Sequence, residues 1–137
     1  PWAEFPVFWE ALDSSLIPIL EQFHIDLNIP KGLIYSSEMR SKYHLAAVFS
    51  NNFLNHQIGM LQEYCSLSGI DPSFFDSMVQ KTISNALSSR AYDIQTGPAH
   101  RGDQATLERH LEMLPERMQD IYKTISSRIA EIKMRKN

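Results

Sequence analysis

The chain has 137 residues, and its 43% hydrophobic and 21% charged content is that of an ordinary globular protein large enough for a core of its own. A formal charge of −3 and a pI near 5.9 exclude general nucleic-acid binding, which needs a basic face; only the tail from Arg128 to Lys136 is locally basic, and Glu131 interrupts it. The single Cys65 allows no internal disulfide and no apolar run approaches the roughly 20 residues that cross a bilayer, so the expected setting is a reducing cytoplasm, with no membrane and no nucleic acid among the partners.

The chain opens on Pro1 without an initiator Met and enters an aromatic stretch at once, which suggests a piece of something longer. The short apolar run from Phe5 to Leu12 predicts a strand. Asp13, Ser14 or Ser15 can cap a helix over Leu16 to Phe23, with Pro18 tolerated in its first turn. His24 to Pro30 alternates through Ile25, Leu27 and Ile29, and Gly32 to Tyr35 reads as a second short strand. One β-α-β unit of this size cannot make a stable sheet alone, so its partner strands are expected to lie elsewhere.

From Ser37 the pattern becomes helical. Leu45, Val48, Phe49, Phe53, Leu61 and Tyr64 share one broad face of a helix running from about Glu38 to Ser68, which Gly69 ends. A second amphipathic helix follows Asp71-Pro72-Ser73 and reaches about Ser89. Ala91 to Gly102 reads as loop, Asp103 caps a short helix through Leu114, and Pro115 opens a last one with Met118, Ile121, Tyr122, Ile125, Ile129 and Ile132 at helical spacing. No internal repeat or low-complexity segment occurs.

Two stretches hold residue types suited to chemistry. On the long helix His44, Val48, Asn52, Asn55 and Gly59 recur at spacings of three and four, so a titratable group and two amides share a line. Several Asn inside a helix imply a polar task on a buried or half-buried face: orienting a carbonyl or hydroxyl substrate, satisfying neighbouring backbone, or meeting a second subunit. The second stretch is Thr96-Gly97-Pro98-Ala99-His100-Arg101-Gly102-Asp103, where two glycines and a proline fix turns and Arg101 offers a bidentate donor beside the start of a helix. It can hold a small anion, or Arg101 can simply pair with Asp103 and staple the loop. No His or Cys spacing makes a metal site, no G-x-G-x-x-G turn is present, and along one helix His44 and Cys65 stand about 30 Å apart, too far for a nucleophile pair.

Tyr43-His44-Leu45-Ala46-Ala47-Val48-Phe49-Ser50-Asn51-Asn52-Phe53, then Thr96-Gly97-Pro98-Ala99-His100-Arg101-Gly102-Asp103, then His110-Leu111-Glu112-Met113-Leu114 resembles the C-terminal domain called domain of unknown function 2520. The resemblance covers roughly residues 5 to 125 and is to NADP-dependent oxidoreductases related to pyrroline-5-carboxylate reductase and the 3-hydroxyacid dehydrogenases. It implies a mostly α chain: a helical bundle like the C-terminal domain of 6-phosphogluconate dehydrogenase over 37–137, preceded over 1–36 by the β-α-β end of a Rossmann-like sheet whose remainder is absent. It implies a homodimer, a small-molecule substrate, and NADP bound by the missing N-terminal half and not by this chain alone. His44 and Asn52 become the candidate catalytic residues, and Asn55, Thr96, Gly97, Pro98, Arg101, Gly102 and Asp103 the candidate substrate contacts. The Lys that hydroxyacid dehydrogenases of this build often carry four residues before an Asn is absent: Val48 precedes Asn52 and Ala47 precedes Asn51 at that spacing, which leaves His44 as the candidate proton donor. The alternative readings are a non-enzymatic helical dimerisation or interaction module, and a small-anion-binding domain.

Overall fold

The apolar centre of the opening stretch, Val7–Trp9, forms strand β1 in the computed structural model, which describes residues 7–29, 32–34 and 36–134. β1 lies parallel to β2, Gly32–Ile34, with Val7 opposite Gly32, Phe8 opposite Leu33 and Trp9 opposite Ile34. Helix α1, Ile17–Asp26, connects them through an entry turn at Ser14–Leu16. Asp13 starts that turn by accepting the Ser15 N–H at 2.8 Å, and Pro18 falls in the first helical turn, where its missing N–H would have had no partner. α1 runs past the predicted end: His24, Ile25 and Asp26 are helical, and the Gln22 amide donates to Asp26 one turn on at 2.7 Å. Asn28, at φ 51°, then turns the chain out. Of the predicted extended stretches, Phe5, Pro6, Pro30 and Tyr35 lie outside the described residues.

The chain divides into two compact units, Pro1–Gln57 and Ile58–Asn137. In the first, β1 anchors the start of the long helix. Phe8 stacks on Tyr43 with ring centroids 4.6 Å apart, Trp9 meets Phe23 edge-on at 5.8 Å, and Glu10 pairs with Arg40 at 3.1 Å while accepting the Ser37 hydroxyl. Because Ser37 is engaged there, Ser36 caps helix α2, Ser37–Ala47, accepting the Met39 N–H at 3.4 Å. The long helix continues as a π-helical segment over Val48–Phe53 and then as α3, Leu54–Ser68.

In the second unit α3 ends as its Gly predicts. Gly69 takes φ 67° and the Ile70 N–H returns to the Cys65 carbonyl at 2.9 Å, closing a left-handed C-cap. Asp71 accepts the Ser73 N–H at 2.9 Å and opens the turn Pro72–Phe75 before α4, Asp76–Ser88. The predicted loop 91–102 is more ordered than its composition suggests: it holds a turn at Ala91–Asp93 and a single-turn helix α5, Pro98–Arg101. Helices α6, Gln104–Met113, and α7, Glu116–Met134, meet at Pro115. The Gln119 amide fastens that corner by donating to the Leu111 and Leu114 carbonyls at 2.9 and 3.2 Å, and Arg117 donates to Glu63 of α3 at 2.8 Å.

The result is a mostly helical chain led by one parallel β-α-β unit. Few apolar side chains are sealed: among the described residues Cys65 is 1% exposed, Met118 3% and Ala99 6%, with Ile29 at 9%. Among the described residues no helix is long and apolar enough to cross a membrane.

The second unit's core makes a direct test possible. Met118→Ala should lower unfolding free energy by about 2–5 kcal/mol in urea titrations, and Cys65→Ser, which buries a hydroxyl in place of a thiol, by about 1–3 kcal/mol. Met134→Ala, at a position 69% exposed, should stay within about 0.5 kcal/mol of the parent.

Candidate functional site

The polar line on the long helix owes its phase to the π segment. An i→i+5 turn takes in one residue more than an α turn, so His44 and Asn52 stand as residues about seven apart do in a regular helix, nearly eclipsed after about two turns. Asn55 follows in the first turn of α3. Burial differs from expectation: His44, Asn51, Asn52, Asn55 and His56 are all exposed, where a half-buried face was expected. The side chains of His44, Asn52 and Asn55 make no hydrogen bond among the described residues, so the backbone is not what occupies them; the nearest case is Ser50, whose hydroxyl returns to the Ala47 carbonyl at 3.3 Å. Three polar side chains free to meet an outside group therefore stand along one helix, next to the exposed rings of Phe49 and Phe53, which meet edge-on at 5.1 Å.

The stretch Thr96–Asp103, in the second unit, is a single hydrogen-bonded knot. Gly97 sits at φ 107°, ψ 173°, a mirror-β conformation open only to glycine, and Pro98 then occupies the first position of α5. Ala99 is buried as α5 packs on α7. Gly102 takes the left-handed conformation at φ 77°, and Asp103 caps α6, accepting the Thr106 N–H at 3.1 Å and its hydroxyl at 2.8 Å. Thr96 is exposed, and its carbonyl accepts the Gln95 amide at 2.9 Å.

This bonding decides what the knot can offer a ligand. The amides of Arg101, Gly102, Asp103 and Gln104 bond to the carbonyls of Gly97, Ala99, Pro98 and Gly102, and the Thr106 amide is taken by Asp103. Several of the backbone donors expected to face an anion are thus engaged, and the Arg101 guanidinium is a side-chain donor that the knot holds only loosely. It lies 4.0 Å from the Asp103 carboxylate with its side chain 63% exposed, a loose pairing that leaves most of its N–H groups to solvent. The Thr106 hydroxyl and amide, with smaller contributions from Arg101 and Arg109, hold the Asp103 carboxyl below its ordinary range. Beside the knot a groove of about 220 Å³ is lined by Gln95, His100, Ile125, Ile129, Ile132 and Lys133.

The structure thus gathers the predicted residues into two sets, His44, Asn52 and Asn55 in one unit and Thr96 to Asp103 in the other. Three polar side chains escaped the sequence reading. Tyr122 and His110 sit at apolar-face positions of α7 and α6, where Tyr and His pass as core, yet the His110 Nδ1 and the Tyr122 hydroxyl are 2.7 Å apart. Gln119 carries only the generic signal of an amide one turn past a proline.

A mostly helical domain led by one β-α-β unit is the class that this fold defines. Residues 5–129 match the family model described as Domain of unknown function (DUF2520), and the chain belongs to that family. Among solved structures it is similar to a Bacteroides fragilis protein described as a candidate NADP oxidoreductase, with 29% identity and a TM-score of 0.86 over 95% of this chain and 51% of that one. It shares its fold with a Thermotoga maritima protein at 23% identity and a TM-score of 0.70, over 98% of this chain and 56% of the other. The chain therefore spans about half the length of the structures it matches. No curated protein matches it.

The knot yields three expected outcomes. Gly97→Ala forces a side chain into a glycine-only conformation and should cost about 1–3 kcal/mol, and Gly102→Ala about 1–2 kcal/mol, both read by denaturant midpoints. The depressed Asp103 carboxyl contributes stability that is present above its unfolded value near pH 4 and lost as pH falls through its lower folded value. Asp103→Asn should accordingly flatten part of the acid limb of a stability–pH curve below about pH 4 and leave its slope near neutrality unchanged.

Proposed function

We propose that this chain is the substrate-facing and dimerising C-terminal part of a cytoplasmic NADP-dependent oxidoreductase, inactive without its nucleotide-binding half. The observation that carries the reading is the match at a TM-score of 0.86 to half of a protein described as a candidate NADP oxidoreductase. A parallel strand pair with no further strand among the described residues supports the same reading, since parallel sheets are covered on both faces and extended by further strands. In this reading residues 1–36 complete the other half's sheet and residues 37–137 form the helical substrate and dimerisation domain.

Reduced cofactor, NADPH, held by the other half would supply the hydride and leave as NADP+. The roles left to this chain are binding, orientation and proton supply. Asn52 and Asn55 each present a donor and an acceptor to a carbonyl or imine substrate, and His44, nearly in line with Asn52, donates the proton that a reduced carbonyl or imine requires. Arg101 pairs with an anionic group of the substrate, with Thr96, Gly97, Pro98, Gly102 and Asp103 holding it in place. The exposed side chains of Leu45, Phe49 and Phe53, at 58, 63 and 51% exposure, form the kind of apolar surface that marks a subunit interface, and we assign it to a second copy of the chain.

The upstream coding sequence is the first check: it should encode a strand, a G-x-G-x-x-G turn and a helix, and a different upstream sequence would refute the reading. In the polypeptide carrying both halves, Asn52→Ala and Arg101→Ala should remove protection by substrate while sedimentation still reports a dimer. Variants that only dissociate the dimer would reduce both stretches to interface. His44→Gln should lower kcat about a hundredfold or more with NADPH affinity unchanged.

A further inference from the structure

The corner where α6 turns into α7 carries a cup that neither candidate stretch uses. It measures about 320 Å³ and is lined by Tyr64, Arg109, His110, Met113, Leu114 and Tyr122, all within the second unit. That volume is at the lower end of the range for small-molecule sites, and its wall is mostly apolar, with two Tyr rings and the Met113 side chain. The polar groups on the wall are donors or donor-capable, and among the described residues no acidic side chain lines the cup.

Their arrangement is specific. The Tyr122 hydroxyl lies 2.7 Å from His110 Nδ1, with the two rings edge to face and 5.8 Å between centroids. With the hydroxyl donating, the proton of a neutral imidazole sits on Nε2, which becomes a second fixed donor. Arg109, next to His110 in sequence, is exposed and makes no ion pair among the described residues; its charge is felt by Asp103 only as a minor contribution. The Tyr64 hydroxyl makes no hydrogen bond among the described residues. A cation, an imidazole and two phenols around an apolar floor, with no carboxylate among them, complement an anion carried on an apolar body.

We propose that this cup binds a small organic acid with a flat or branched apolar body, its carboxylate held by Arg109 and by the His110–Tyr122 pair. The guanidinium makes the bidentate contact, the pair adds an oriented donor, and the Tyr64, Met113 and Tyr122 side chains enclose the body. The site is independent of the roles given to His44, Asn52, Asn55 and Arg101.

Benzoate and its uncharged analogue benzamide, titrated into the full chain by calorimetry and followed by the ring signals of Tyr64 and Tyr122, test the proposal. Benzoate should bind and move both ring signals, whereas benzamide should do neither at equal concentration. Arg109→Gln should weaken benzoate about tenfold or more, Tyr122→Phe should weaken it several-fold while keeping the ring, and Arg101→Ala should leave it unchanged. The proposal is overturned if benzoate leaves the wild-type ring signals in place, or if it binds Arg109→Gln as well as the parent. It is equally overturned if Arg109→Gln changes the sedimentation coefficient, which would make the cup a seat for a second copy. Loss of binding in Arg101→Ala would move the site to the knot and refute the independence claimed here.

Discussion

A parallel pair of strands is the constraint from which the rest of this molecule follows. Parallel strands bury both faces and need a crossover between them, and here β1, α1 and β2 supply one crossover and no further strand among the described residues. Such a unit holds its shape through what leans on it. Phe8 on Tyr43, Trp9 on Phe23, and Glu10 to Arg40 and Ser37 couple the first strand to α1 and to the start of the long helix. The Trp9 indole N–H is buried without an acceptor among the described residues, a cost that a neighbouring strand or chain would relieve.

The same shortage of cover runs along the long helix. Its apolar face was expected to be core, yet Leu45, Phe49 and Phe53 are more than half exposed, and so are its His and Asn side chains. A helix with apolar and polar groups both facing solvent has more surface to bury than its own unit supplies. The second unit also exposes Phe74, Met78 and Leu87, but it seals Cys65, Ala99 and Met118, and Gln119 and Arg117 fasten α6 and α3 to α7. Both units leave large apolar side chains in solvent, Phe49 and Phe53 in the first and Phe74 and Leu87 in the second, but among the described residues only the second seals a small cluster from helices distant in sequence.

Local chemistry made the sequence readable where a single side chain decides an element's end. Asp13, Gly69 and Asp103 act as their types require, because a cap depends on hydrogen bonds within a few residues. The β-α-β order was readable from apolar run lengths. The extension of α1 through Asp26 was not, since Ile25, Leu27 and Ile29 fit a strand's alternation as well as the last turn of a helix. Nor was α5, whose single turn has no periodicity to detect and exists because Ala99 packs on α7. Periodicity fixes which residues share a face and carries no information on whether anything covers that face, so the exposure of His44, Asn52 and Asn55 was out of reach. The His110–Tyr122 contact joins two helices across the Pro115 corner, and no spacing rule links residues on opposite sides of such a turn.

The wide turn at Val48–Phe53 has a consequence of its own. A π turn is the less stable way to wind these residues, because the ordinary ladder would close if the segment were one residue shorter. Such a deletion would give a straighter and more stable helix, and it would leave the sequence of every polar side chain beyond it intact. Were the same residues wound as an ordinary α-helix, Asn52 would stand about 80° around the axis from His44, so the wide turn is what keeps the two side chains in one line.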